Sequence, residues 1–162
     1  ATVFILTSDG TDSLRPTIYS RVQKIQILPC NLEQITSHWQ KTPSGALQKA
    51  YLLSGGYIGL LSALINDNDH ELTTSIELAK TIVKSNAYKR LLLADELSKN
   101  RANLIMLLYE LQRVLGAVLS QTSDKLQIKR LTSSMRLVHQ SRIDLSKSAN
   151  PKLLLTKLFL SL

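Results

Sequence analysis

Arg21 is the residue whose type and position point most directly to chemistry. It follows Ser20 in a polar segment, residues 14–23, which separates two short apolar runs at 2–6 and 24–28. A guanidinium at a turn between strands can point outward and bind phosphate oxygens, because its planar fork of N–H donors matches them. The plainer interpretation is a surface arginine beside a turn.

Two adjacent hydroxyls form a second candidate site. Thr7 and Ser8 follow residues 2–6, a continuous β-branched and aromatic run that predicts a strand covered on both faces. The carboxyl ends of buried parallel strands are where α/β folds bind ligands. By composition alone, residues 7–10 are a turn that ends the strand.

Other catalytic signals are absent from the sequence. It has no Gly-x-x-x-x-Gly-Lys-Ser/Thr phosphate loop and no Gly-x-Ser-x-Gly elbow. His38, His70 and His139 lack metal-ligand spacing and are predicted to lie on the surface. Cys30 is the single cysteine, which excludes an internal disulfide and favours a buried thiol in a reducing compartment. Taken alone, the chain is not expected to turn over a nucleotide.

Hydropathy periodicity predicts two strands followed only by helices. The strands are residues 2–6 and 23–28, the second apolar on the side of Ile25 and Ile27 and ended by Pro29. Apolar spacing of three and four residues predicts helices at 31–39, 46–54, 58–65, 71–83, 88–97, 102–119, 124–145 and 152–160. The fold class is therefore mainly α, with a compact helical bundle after the strands.

Capping residues support several of these helix ends. Asn31 and Asp124 are predicted to cap helix N-termini, Gly55 and Gly56 to stop a helix, and Pro151 to occupy a first helical position. The helix after Asp124 is predicted to have the apolar positions Leu126, Ile128, Leu131, Met135, Val138, Ile143 and Leu145. The helix at 88–97 is predicted to have Leu91, Leu92, Ala94 and Leu97.

The net charge of +8 lies entirely in the C-terminal part of the chain. Residues 1–97 have 9 Lys and Arg against 9 Asp and Glu, whereas residues 98–162 have 11 against 3. Such a bias indicates nucleic acid, an acidic partner or a solvated lysine-rich face. Tyr109 and Phe159 are the only aromatic residues there, so a stacking platform for single strands is disfavoured. The solvated face is preferred.

Membrane insertion and secretion are not expected. The longest uncharged stretch, residues 50–66, is too short and too polar to span a bilayer. The N-terminal apolar run is too short for a signal peptide and has no basic residue before it. Because the chain opens directly on a strand-like run without Met, we expect it to be a fragment that lacks an upstream half.

Residues 2–28 resemble the last part of the nucleotide-binding domain of clamp-loader subunits, within the AAA+ ATPases. The resemblance is carried by residues 3–8, by Leu14 and by residues 16–23. It implies that the first 30 residues are the C-terminal end of an AAA+ α/β domain. The sheet of that domain would then lack a strand, so we expect this part to rearrange, to pair irregularly or to pack against another copy.

The same resemblance implies roles for individual residues. In this family the strand ends in the sensor-1 hydroxyl, a position that falls on Ser8, with Thr7 as the alternative. The family's Ser-Arg-Cys arginine-finger motif falls on Ser20, Arg21 and Val22. Valine replaces the cysteine, and the arginine that does the electrostatic work is retained.

The similarity continues towards the C-terminus. Residues 53–64 resemble the sensor-2 region of the family's helical lid, around Gly55, Gly56 and Gly59, but residues 57–60 lack the arginine of the hydrolysing subunits. Residues 150–158 resemble the closing helix of the bacterial collar domain. This implies three domains: the AAA+ remnant at 1–30, a helical lid at 31–68 and a helical collar for oligomerisation at 69–162.

Within the family, the pattern resembles the non-hydrolysing delta-prime type of the bacterial DNA polymerase III clamp loader. It implies a cytoplasmic protein that supplies Arg21 in trans to ATP and Mg²⁺ on a neighbouring subunit, with no cofactor of its own in this region. The family's zinc module would lie upstream. The implied partners are the gamma/tau and delta subunits and, through the complex, the sliding clamp and primer-template DNA.

Two alternatives stay open. The first is the ATP-hydrolysing gamma/tau type, which would be expected to keep the sensor-2 arginine. The second is a helical oligomerisation or adaptor domain that has no link to nucleotides, in which case the motifs are accidental.

Overall fold

A computed structural model of the chain describes residues 2–8, 15–66 and 71–162. Leu14, His70 and residues 67–69 of the predicted domain boundary lie outside these residues. Within them the chain forms helices and no strand. The helices are α1 (Pro16–Tyr19), α2 (Leu32–His38), α3 (Ser44–Ser54), α4 (Ile58–Asn66), α5 (Glu71–Lys84), α6 (Ala87–Leu97), α7 (Arg101–Leu119), α8 (Lys125–Ser146) and α9 (Pro151–Ser161). The prediction of a mainly helical bundle is confirmed.

The two predicted strands are wrong. Phe4 is 84% exposed and Ile27 is 86% exposed, and no backbone hydrogen bond joins residues 2–7 or 22–28 to another described residue. A strand becomes stable only when a neighbour satisfies its backbone and covers its side chains, and the described residues provide neither. The expectation that this part would rearrange, pair irregularly or pack against another copy stays a prediction.

Helix ends follow the predicted capping chemistry. Asn31 forms a capping box at α2, in which its side chain accepts a hydrogen bond from the Gln34 N–H at 2.9 Å. Asp124 accepts from the Leu126 N–H at the start of α8, and Pro151 begins α9. Each cap satisfies backbone groups that have no partner within the helix.

The larger hydrophobic core lies around α7. This helix packs against α8, α5 and α3, while α9 packs against α6 and α8. The large side chains that are fully buried in this core are Phe159, Ile76, Ile82, Leu104, Leu108, Leu111, Leu145, Leu155, Leu158 and Val138. Burial of such a side chain contributes about 1.5–3 kcal/mol, so this core accounts for most of the bundle's hydrophobic stabilisation.

A smaller core joins α2, α3 and α4. Its buried members are Ile35, Leu47, Ala50 and Leu61, and Cys30 packs against them as a half-buried thiol. The adjacent residue Leu60 of α4 belongs to the larger core. Helix α4 therefore contributes to both cores, which ties the predicted lid region to the predicted collar region by packing.

Three arginines bind the carbonyl ends of neighbouring helices. The Arg90 Nε donates to the Ile82 carbonyl oxygen of α5 at 2.9 Å, and its Nη1 donates to the Phe159 carbonyl oxygen of α9. Arg101 donates to the Leu145 carbonyl oxygen of α8. The third, Arg113, is described with the candidate site below. A cation at a helix C-terminus is favoured by the helix dipole and by the unpaired carbonyl groups there.

The predicted apolar faces of α6 and α8 need correction. Leu126 and Leu92 are both more than half exposed, and Ile128 is exposed as well. The first two turns of α8 extend into solvent, because residues 123–130 are all exposed. Further along, α8 buries its core side through Ser134, Val138, Ser141 and Leu145.

Helix α7 is the one described helix that is long and apolar enough to cross a membrane. Its most apolar 18-residue window has a mean hydropathy of 1.4. In the structure, this helix buries Leu104, Leu107, Leu108, Leu111, Val114 and Leu115 against the surrounding helices. That burial is the packing of the central helix of a bundle.

Candidate functional site

Arg21 lies at the end of a short helical turn. Arg15 precedes α1 in an extended conformation, as expected before Pro16, and the Arg21 N–H donates to the Ile18 carbonyl oxygen at 3.0 Å. The Arg21 side chain is exposed, and it makes no ion pair or hydrogen bond with another described residue. Its guanidinium is therefore available to an anion outside the described part of the chain.

Ser20 and Lys24 define the surroundings of Arg21. The Ser20 hydroxyl donates to the Thr17 carbonyl oxygen at 3.3 Å, which closes the turn just before the arginine. The Lys24 ammonium lies 3.2 Å from the centre of the Tyr19 ring, a cation–π contact. The turn therefore has two cations, Arg21 and Lys24, on its C-terminal side. Their positive potential favours the binding of a phosphate group there.

The surroundings of the two sensor-1 candidates, Thr7 and Ser8, differ from those of Arg21. Thr7 and Ser8 lie in an exposed stretch of irregular backbone. They do not follow a buried strand, because residues 2–6 do not form one in the described structure. Their proposed role stays a prediction that depends on the resemblance alone.

The glycines of the predicted sensor-2 region have distinct structural roles. Gly55 ends α3 in the left-handed conformation, with φ of +62°, and its N–H donates to the Tyr51 carbonyl oxygen. This confirms the predicted helix stop. Gly59 lies within α4, and a Cβ there would meet nothing within 4 Å.

Gly56 is the point where the N-terminal segment meets helices α3 and α4. Its carbonyl oxygen accepts a hydrogen bond from the Cys30 N–H at 2.9 Å. A Cβ on Gly56 would lie 2.3 Å from the Cys30 carbonyl oxygen and 3.1 Å from Pro29 Cβ. This close approach requires glycine, and it fixes the segment that leads from Arg21 against the end of α3.

An arginine from helix α7 reaches the same place. The Arg113 Nη1 donates to the Ser54 carbonyl oxygen at 3.2 Å, at the C-terminus of α3. Its guanidinium carbon lies 5.9 Å from the centre of the Tyr57 ring. An arginine therefore lies beside the sensor-2 region although residues 57–60 contain none, and its donors are directed at a helix end.

Glu110 is the buried acid of this cluster. Its residue surface is 3% exposed, its Oε1 lies 3.5 Å from the Arg113 Nε, and its Oε2 has no hydrogen-bond partner among the described residues. Burial raises the pKa of the Glu110 carboxyl above its ordinary value, and the charge of Arg113 opposes that shift. The junction of α3, α4 and α7 thus contains a buried carboxyl group that is paired with one arginine through only one of its two oxygens.

We expect Glu110→Gln to stabilise the protein at neutral pH by on the order of 1 kcal/mol, because the neutral amide costs less to bury than a carboxylate with an unpaired oxygen. Between the ordinary pKa and the raised one, the folded state binds more protons than the unfolded state. The free energy of unfolding therefore falls as pH rises through that window.

Urea unfolding of wild type and Glu110→Gln at pH 7 and pH 4 checks this. The difference in unfolding free energy should be present at pH 7 and smaller at pH 4, where the wild-type carboxyl is mostly protonated in both states. A variant less stable than wild type at pH 7 would contradict it and would assign net stabilisation to the Glu110–Arg113 pair.

This junction was not predicted from the sequence. Glu110 and Arg113 are three residues apart, which places them on one helix face, but they occur within the most apolar helix of the chain. A charged pair in such a helix is a signal that one side of the helix faces a polar group. The identity of that group, the end of α3, required the fold.

Comparison of the chain with protein-family models, curated proteins and solved structures gave no match. Within residues 2–8, 15–66 and 71–162, no group of three or more His, Cys, Asp and Glu side chains is placed to hold a metal ion.

Proposed function

We propose that this chain is the C-terminal part of a non-hydrolysing, delta-prime-type subunit of a bacterial DNA polymerase III clamp loader. In this proposal Arg21 reaches ATP on an adjacent subunit, and the helical bundle assembles the ring. The complex loads the sliding clamp on primer-template DNA in the cytoplasm. The chain itself needs no cofactor, since ATP and Mg²⁺ belong to the neighbour and the zinc module to the upstream part.

One observation carries the proposal. Arg21 is an exposed cation at the end of a hydrogen-bonded turn, without an anionic partner among the described residues. A guanidinium that neutralises charge at a transferring phosphoryl group can act from a neighbouring subunit. The order of the other motifs supports the same family: Ser8 before Ser20 and Arg21, then Gly55 and Gly56, then Pro151.

The absence of an arginine at residues 57–60 favours the delta-prime type over the gamma/tau type. Arg113 approaches this region from α7, but it is engaged with the Ser54 carbonyl oxygen and with Glu110. A hydrolysing subunit would need this position to contact its own nucleotide. The proposal therefore assigns nucleotide binding and hydrolysis to partners.

A second candidate, an oligomerisation or adaptor domain without a nucleotide link, is favoured by the outer surface of α6 and α9. Tyr88 and Leu92 on α6 are exposed, as are Leu153 (70%) and Leu160 (61%) on α9. Helices α6 and α9 pack against each other, and the Lys152–Asp95 ion pair joins them. Both candidates predict that this surface contacts another subunit.

We expect Leu153→Glu combined with Leu160→Glu to weaken assembly with partner subunits by at least tenfold, because two charges would be buried in an apolar interface. These residues are seven positions apart and lie on one side of α9. Analytical ultracentrifugation of the full-length protein mixed with gamma/tau and delta subunits measures the change. Lys49→Glu, an exposed position on α3 that changes the net charge by the same amount, is the control; equal assembly by the double variant and wild type would contradict the assignment.

These measurements separate the two candidates. A clamp-loader subunit should assemble with gamma/tau and delta subunits, and its Arg21 should affect their ATPase. An adaptor domain should assemble with itself or with other partners, and Arg21 should have no effect on nucleotide turnover.

A further inference from the structure

The basic excess of residues 98–162 is larger at the surface than the composition suggests. Of the three acidic residues in this region, Glu110 is buried. Asp124 accepts from the Leu126 N–H as the cap of α8, and Asp144 accepts from the Gln140 side chain. The two surface carboxylates therefore lie at the two ends of α8, and the central turns of that helix contain none.

The eleven cations of this region fall into two groups. Four of them serve the fold: Arg101 and Arg113 bind helix carbonyls, Arg142 binds the Gln112 side chain and lies over the Tyr109 ring, and Lys152 pairs with Asp95. The remaining seven have exposed side chains, which make no hydrogen bond or ion pair with a described residue: Lys99, Lys125, Lys129, Arg130, Arg136, Lys147 and Lys157.

Four of these seven form a stripe along α8 and its C-cap residue, which we call the α8 stripe: Lys125, Lys129, Arg136 and Lys147. At 3.6 residues per turn they fall within about 40° of one another around the helix axis. The buried side of α8, which includes Ser134, Val138, Ser141 and Leu145, lies on the opposite side. The α8 stripe therefore points straight into solvent.

The length of the α8 stripe is defined by the helix. From Lys125 to Lys147 the rise is about 33 Å, at 1.5 Å per residue. One turn of duplex DNA is about 34 Å long and presents a phosphate charge every 1.7 Å or so of its axis. A straight helix with four outward-pointing cations over that length matches one turn of a DNA duplex, which is a rigid and regularly charged rod.

We propose that the α8 stripe binds the phosphate backbone of duplex nucleic acid, without reading its sequence. This surface would add a direct nucleic-acid contact to the chain, and it does not depend on the clamp-loader proposal. The contact is electrostatic: each lysine or arginine that reaches a phosphate releases a condensed counterion.

Charge and side-chain type favour a duplex over other polyanions. Of the two aromatic residues at 98–162, Phe159 is buried and Tyr109 has the Arg142 guanidinium 3.6 Å from its ring centre, so this region has no row of free rings on which unpaired bases could stack. An acidic protein partner would be expected to bury apolar area as well. Exposed large apolar side chains lie beside the α8 stripe at Leu126 and Ile128, and none lies beside it from Lys129 to Lys147.

The test compares two variants of the full-length protein that have the same charge. The stripe variant contains K125Q, K129Q, R136Q and K147Q. The control variant contains K41Q, K49Q, K84Q and K89Q, four exposed lysines on other elements. Both lower the net charge by four, and circular dichroism confirms that each retains its helix content.

Fluorescence anisotropy with a 30-base-pair mixed-sequence DNA duplex is measured from 50 to 200 mM NaCl. Four phosphate contacts predict a slope of log K against log salt of about −3.6, from −0.9 for each contact. For the stripe variant, the magnitude of this slope should be about 3 to 4 smaller than for the wild type. For the control variant, it should be less than 1 smaller.

Three results would overturn the proposal. The first is an equal loss of slope in both variants, which would show that positive charge anywhere on the surface has the same effect. The second is no binding of the duplex by the wild type. The third is stronger binding of a 30-nucleotide single strand or of polyglutamate than of the duplex. The last result would assign the α8 stripe to single strands or to an acidic protein.

Discussion

Replacing Arg21 with alanine in the full-length protein, assembled with ATP-hydrolysing clamp-loader subunits, should lower ATP turnover at the adjacent site by about 10³-fold or more. The reason is electrostatic. A guanidinium at the γ-phosphate neutralises charge that develops in the transition state, and it does so where water is largely excluded. Steady-state ATPase with sliding clamp and primed DNA, at saturating ATP, measures the effect.

The best control for Arg21→Ala is Arg15→Ala. Arg15 has the same charge, precedes the same short helix α1 and is exposed, and its side chain makes no hydrogen bond with a described residue. It should therefore have little effect on turnover. Arg21→Lys should be nearly as impaired as alanine, because lysine cannot reproduce the bidentate fork. Equal turnover by Arg21→Ala and wild type, with the complex intact, would contradict the role.

Gly56→Ala should destabilise the protein by roughly 2–6 kcal/mol. Two effects add. The backbone at Gly56 has φ of +83°, which costs an L-residue strain, and the new Cβ would lie 2.3 Å from the Cys30 carbonyl oxygen. That atom belongs to the backbone, so the contact can be relieved only by moving the segment at Pro29 and Cys30 away from α3, with loss of the Cys30–Gly56 hydrogen bond.

Gly59→Ala is the matched control, three residues further along the same motif. A Cβ there meets nothing within 4 Å, and Gly59 lies inside α4. Alanine should stabilise the helix by about 0.5–1 kcal/mol. Urea unfolding of both variants measures the contrast, and similar stabilities for the two would show that the close approach at Cys30 is relieved at little cost.

The helices were predictable because the information that defines them is local. Asn31, Asp124 and Pro151 cap or begin helices where their side-chain chemistry requires, and the apolar spacing of α7 matches its buried face. The boundaries of α2 to α9 differ from the predictions by at most two residues, whereas α1 lies in the segment at 14–23 that was predicted as a turn between strands and not as a helix. Each of these signals depends on residues no more than a few positions apart, so the rest of the fold was not needed.

The errors share a physical cause, which is dependence on partners distant in sequence. Residues 2–6 and 24–28 have strand composition, but a strand needs a neighbouring strand, and none lies in the described residues. Leu126 and Leu92 are apolar at helical spacing, yet their exposure depends on where the other helices end. The Glu110–Arg113 pair faces the end of α3, which lies more than 50 residues earlier in the chain.

The central claim, that this chain is a clamp-loader subunit, is tested most directly by assembly. The full-length protein is mixed with purified gamma/tau and delta subunits and analysed by size-exclusion chromatography with light scattering. We predict a single species whose mass is that of a five-subunit ring containing one copy of this protein. Separate elution of the protein, with gamma/tau and delta masses unchanged by its presence, would contradict the claim.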